Sequence, residues 1–95
     1  MPKFMIIHHE DPEFVSHHIN QACKICAGEK RANWNRVYYN LKEGRIFCEW
    51  EAPARNILED ILHECHLLPS GEIVEVEEMS STECKWDIFG EIDDQ

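Results

Sequence analysis

The order of hydrophobic patterns along this 95-residue chain predicts an α+β domain: an antiparallel four-stranded sheet with two helices on one face, extended by an acidic C-terminal tail. Three observations predict it. Strand-like and helix-like stretches follow one another as β-α-β-β-α-β over residues 1–78. The two middle strands are separated by a turn short enough to make a hairpin. No linker or repeat divides the chain, and a length of this order leaves no room for a second core.

Residues 3–9 (Lys-Phe-Met-Ile-Ile-His-His) read as the first strand. Both of its faces, Phe4/Ile6/His8 and Met5/Ile7/His9, begin apolar, as in a central strand covered on both sides. Asp11-Pro12-Glu13 then marks a helix start, with an N-cap oxygen, proline at the first position and an acid in the first turn. The helix is expected to reach about Cys26, with Gly28 ending it. At a helical period Phe14, Val15, His18, Ile19, Ala22, Ile25 and Cys26 share one side, while His17 and Lys24 point away.

Residues 34–41 (Trp-Asn-Arg-Val-Tyr-Tyr-Asn-Leu) are aromatic and β-branched enough for a second strand. Lys42-Glu43-Gly44 turns the chain, and Arg45–Glu51 forms the third strand. Pro53 opens a second helix to about His66, burying Ile57, Leu58, Ile61, Leu62 and Cys65. Glu72–Glu78 alternates as the last strand, with Val74 and Val76 on one face. The economical closure of this order is the ferredoxin-like arrangement: a right-handed crossover sets the first two strands apart, and the third fills the gap. One sheet face is then open in a monomer, and the two-sided apolarity of the first strand predicts a homodimer covering it. Residues 1–78 make the domain and 79–95 an extension whose Trp86, Ile88, Phe89 and Ile92 are expected to pack, across the dimer or elsewhere.

Charge narrows the function classes. The chain carries 9 basic and 19 acidic residues, a formal net charge of −10. It is concentrated beyond residue 71, where 9 acids face a single lysine. Such a region repels nucleic acid and anionic bilayers, so neither is an expected partner. No apolar run approaches the roughly 20 residues of a membrane-spanning helix. The opening Met1-Pro2-Lys3-Phe4 lacks the pattern of a secretory signal, and an odd count of 5 cysteines suits a reducing, cytoplasmic setting.

Six histidines are the compositional excess that points to chemistry. In the expected topology His8 and His9 end the first strand, His17 and His18 begin the first helix, and His63 and His66 end the second. All six gather toward one end of the domain, with Cys65 among them. Clustered neutral imidazoles are a common way to bind nickel, zinc or copper. Glu10, Asp11 and Glu64 lie nearby as oxygen ligands or as acceptors that orient a ring. Each histidine also has a plainer reading. His8 and His9 point to opposite faces, so a single cavity takes one of them. His18, on the apolar helix face, reads as a hydrogen-bonded core histidine, and His17 as a solvated one. His66 flanks the buried stripe of the second helix, whereas His63 lies opposite it.

The cysteines point elsewhere. Cys23-Lys24-Ile25-Cys26 is a C-x-x-C motif at a helix C-terminus, where the dipole opposes thiolate formation, so it reads as packing. Cys48 and Cys65 read as core, and Cys84 as the exposed thiol. No phosphate-binding loop, nucleophile elbow or dinucleotide fingerprint is present. Glu49 and Glu51 share a face with Phe47, as a solvated edge or as acid–base groups in a barrel cavity.

Phe47-Cys48-Glu49-Trp50-Glu51-Ala52-Pro53, with Leu68-Pro69 and Ile73-Val74-Glu75-Val76, resembles a family of small bacterial domains of unknown function. The opening Met1-Pro2-Lys3-Phe4-Met5 with His8-His9 resembles the branch of that family called nickel-binding proteins. The resemblance covers residues 1–78. It implies a ferredoxin-like fold, a dimer with facing sheets, and transition-metal binding by histidines. The family's paired histidines correspond to His8 and His9. Its second-helix histidine falls on His63 counted back from Pro69 and on Leu62 counted forward from Pro53.

These readings converge on a cytoplasmic homodimer that binds a divalent transition metal, nickel or zinc, through His8, His9 and the second-helix histidines His63 or His66, without catalysis. The alternative is a dimeric α/β-barrel enzyme, isomerase- or monooxygenase-like, with a histidine and Glu49 as acid–base groups and Tyr38, Tyr39 and Trp50 as pocket walls.

Overall fold

A computed structural model describes residues 1–65 and 71–83. Its elements are β1 (Lys3–His9), α1 (Val15–Cys26), β2 (Asn33–Asn40), β3 (Arg45–Glu51), α2 (Arg55–Glu64) and β4 (Gly71–Val76), with short 3-10 turns at Pro12–Phe14 and Ser81–Glu83. The strands form one antiparallel sheet in the order β2-β3-β1-β4, the ferredoxin-like arrangement. Among the described residues no helix is long and apolar enough to cross a membrane. The extension beyond Glu83, with Cys84 and Trp86, lies outside the described residues, as does His66.

Register decides which residues meet the helices. β1 pairs Phe4 with Trp50, Ile6 with Cys48 and His8 with Ile46, and on its other edge Ile6 with Ile73. These side chains are buried and form one cluster with Val15, Ala22, Cys26, Leu58, Ile61 and Leu62 of the two helices. The intervening residues Met5, Ile7, Phe47 and Val74 lie on the opposite face and are half-buried. β2 carries an irregularity between Trp34 and Arg36. The extra residue lets Trp34 and Val37 both pack against the core and stacks Trp34 on Trp50 at 6.2 Å.

Four local expectations change. The chain enters α1 through a 3-10 turn, in which Phe14 N–H donates to the Asp11 carbonyl at 2.8 Å. Asp11 makes no side-chain cap bond. Proline at the first position lacks an N–H and favours a tight first turn, and that turn carries Phe14 off the buried stripe. Phe14 and Ile25 are 49% and 44% exposed, so the buried stripe narrows to Val15, His18, Ala22 and Cys26. Pro53 likewise stands outside α2, one residue before the N-cap Ala54. Cys23, expected to pack, is exposed.

Two glycines let loops approach closely. Gly44, in the β2–β3 turn, has φ +70°, which L side chains rarely adopt. Its carbonyl accepts the Glu10 N–H at 2.8 Å, so the hairpin clasps the segment joining β1 to α1. Gly71 pairs with His8, and its bare α-carbon leaves room for the His8 ring.

A candidate imidazole site at the end of the first strand

His8 is the last inward-facing residue of β1, in register with Ile46 and Gly71. The chain then turns through Glu10, held by Gly44, into α1. Three residues beyond Val15, one helical turn brings His18 onto the same buried stripe. The two rings meet with centroids 4.5 Å apart and planes tilted by 56°. His8 is 1% exposed and His18 5%.

Glu10 completes the arrangement. Its Oε2 lies 2.7 Å from His18 Nδ1. An ionised carboxylate only accepts, so Nδ1 carries the hydrogen and Nε2 keeps the lone pair in the neutral ring. That Nε2 is buried and has no hydrogen-bond partner among the described residues. Burial first, and the nearby His18 second, push the His8 pKa down to about 4, so this ring is neutral at physiological pH. The pair therefore holds a tautomer-fixed imidazole beside a neutral one.

A surface pocket of about 480 Å³ opens beside His18, lined also by Glu10, Phe14, His17, Gln21, Ile25 and Cys65. The side chains that left the helix stripe, Phe14 and Ile25, form its apolar flank. Cys65, at the C-cap of α2, forms part of its wall.

The remaining predicted residues are dispersed. His9 is exposed, and the alternation of β1 puts it on the opposite face from His8. His63 is exposed on the last turn of α2, and His17 is exposed on α1. Among the described residues no group of three or more His, Cys, Asp or Glu side chains is arranged to hold a metal ion. Glu49 stands on the face opposite the imidazole pair, with Lys3 Nζ at 3.2 Å and Arg36 Nε at 3.8 Å. Glu10 behaves as the ring-orienting acceptor anticipated from its position, and His18 as a hydrogen-bonded buried histidine. The sequence did not pair them, because eight residues and a turn separate them; the readable trace is a histidine at i+3 from Val15 and i−4 from Ala22 on a helix entered from an acidic loop.

The thiols follow burial. Cys26 is pushed up to about 12, by burial first and then by Cys65, and Cys48 to about 11, chiefly by burial. Comparison with protein-family models, curated proteins and solved structures finds no match to this chain, so the family resemblance stands on its sequence motifs alone.

Proposed function

We propose that this domain binds a divalent transition-metal ion, nickel or zinc, where β1 meets α1, through the imidazoles of His18 and His8. The observation that carries this reading is the buried, unpartnered Nε2 of His18, with Glu10 holding the other ring nitrogen. A carboxylate on the far nitrogen of a ligating imidazole fixes the tautomer and raises the basicity of the donor. His8 adds a ring that stays neutral, as a metal ligand must be. Imidazole suits nickel, zinc and copper better than calcium or magnesium. Two rings do not complete a coordination shell. The reading assigns the rest to water or to groups outside the described residues, His66 among them, and moves the ligand role away from His9 and His63.

Calorimetric titration of metal-stripped protein with nickel and zinc tests this. Glu10→Gln is expected to weaken binding about 10- to 100-fold, while His9→Ala and His63→Ala leave it unchanged. Absence of binding tighter than about millimolar at near-neutral pH, or a Glu10→Gln variant that binds like the parent, would sink the reading. A second reading would then lead: His18 as a general base oriented by Glu10, acting on a small apolar substrate seated against Phe14 and Ile25. The partner we assign is a second copy of the chain, meeting the face that carries Met5, Ile7, Phe47 and Val74. Light scattering that finds only monomer at micromolar concentration speaks against that assignment.

A further inference from the structure

Charge on the sheet face opposite the imidazole pair is neutralised at its centre and left open at two ends. Glu49, near the middle of β3, meets Lys3 Nζ at 3.2 Å and Arg36 Nε at 3.8 Å, and Lys3 also bonds Glu78. Met5, Ile7, Phe47 and Val74 lie half-buried around it. Glu72 shares the face but is exposed on the edge strand β4. Arg45 and Glu51 begin and end β3, and both point to this face, because Ile46, Cys48 and Trp50 between them take the buried one. Among the described residues neither makes an ion pair. The Arg45 guanidinium carbon lies 5.2 Å from the centroid of the Phe47 ring, and Nε is buried with no hydrogen-bond partner among those residues. Stacking on an aromatic ring fixes the plane of a guanidinium and leaves its edge to donate.

Arg45 and Glu51 cannot satisfy each other within one chain. They stand at opposite ends of the strand, about 20 Å apart, well beyond the screening length of roughly 8–10 Å at moderate salt. A second copy brings them together. A two-fold axis that lies in the interface and crosses β3 at the level of Cys48 sets the two sheets face to face with their strands antiparallel. Each end of β3 then faces the opposite end of the partner's β3. Packed sheets stand about 10 Å apart, a gap that an arginine and a glutamate side chain span together. An axis running along β3 would instead set Arg45 against Arg45 and Glu51 against Glu51, and like charges repel.

We propose that two copies pack these faces with strands antiparallel, so that Arg45 of each copy pairs with Glu51 of the partner subunit. This rests on the second-copy reading above and adds its register. The apolar side chains supply the area, and the two symmetric ion pairs select one alignment of the sheets. Because Glu49 is already neutralised, no unpaired charge is carried into the centre of the contact.

The test measures the dimer dissociation constant by sedimentation equilibrium, on the full chain with a chelator present so that metal binding plays no part. Arg45→Glu sets acid against acid at both symmetric contacts, and Glu51→Arg sets cation against cation. Each is expected to weaken the dimer about 100-fold or more. The double variant Arg45→Glu/Glu51→Arg returns to within about tenfold of the parent. An equimolar mixture of the two single variants forms a heterodimer, detected by its mass in native mass spectrometry, because both contacts then join opposite charges. Arg45→Gln, Glu51→Gln and their double complete a cycle free of repulsion, in which the double weakens the dimer no more than either single. A parent that stays monomeric at micromolar concentration overturns this proposal and the second-copy reading together, leaving residues 84–95 of the same chain as the candidate cover. A dimeric parent whose reversed variants dimerise as tightly as it does, or whose mixture shows no preference for the heterodimer, overturns the register alone.

Discussion

Replacing Gly44 by alanine tests how the β2–β3 turn holds the imidazole site. The new methyl meets two separate penalties. At φ +70° an L side chain in the left-handed region costs roughly 1–2 kcal/mol. The β-carbon would also stand 1.9 Å from the Glu10 carbonyl oxygen, a backbone atom that cannot rotate away. Relief requires the two segments to part by about 1 Å, which breaks the bond from Glu10 N–H to Gly44 O and forfeits about 1 kcal/mol more. The expected loss is therefore about 2–3 kcal/mol. The same displacement stretches the 2.7 Å contact between Glu10 and His18 beyond hydrogen-bond range. Urea unfolding followed by tryptophan fluorescence reads the first effect. Nitrogen-15 shifts of the His18 ring, in metal-free buffer, read the second. Gly28→Ala is the matched control: nothing lies within 4 Å of the added methyl, and its effect is expected within about 0.5 kcal/mol of zero. A Gly44→Ala protein as stable as the Gly28→Ala control, with the His18 shifts of the parent, would refute the claim that this turn positions Glu10.

Two further outcomes follow from the site and its approach. His8 binds a proton more weakly folded (pKa about 4) than unfolded (6.5), so the native state holds fewer protons between those values. The stability this provides is complete above about pH 6.5 and is lost as pH falls toward 4, a decline of about 3 kcal/mol from this group. Urea melts of metal-free protein across that window should show the slope in the parent and lose it in His8→Gln; an equal slope in both contradicts the assignment. Asp11→Ala should cost less than about 0.5 kcal/mol, far below a genuine N-cap loss, because Asp11 makes no cap bond. A thermal or urea measurement giving 1 kcal/mol or more would restore the cap that the sequence suggests.

What the sequence determined by itself was the succession of elements and the sets of residues that share a face, though not which face of β1 meets the helices. Alternation in Phe4/Ile6/His8 and Ile46/Cys48/Trp50, and helical spacing in Leu58/Ile61/Leu62, are local signals, and burial enforces them because a slip of one residue would turn a whole apolar face to water. The ferredoxin-like order followed from those signals and from chain connectivity. That the end of β1 and the start of α1, which carry His8 and His18, lie together was also legible, as a consequence of topology. Their pairing was not. Which imidazole His8 meets depends on the depth at which α1 settles on the sheet, and that depends on the 3-10 turn at Pro12 and the clasp at Gly44. Strand alternation already set His8 and His9 on opposite faces, but it could not show that His18, ten residues from His8, lies ring to ring with it. The thiols repeat the lesson: Cys23 and Cys26 share a motif, but Cys26 is buried in the core while Cys23 is exposed. Only tertiary packing brings such residues together, because the free energy that sets their distance comes from the core beneath them and not from the segments that carry them.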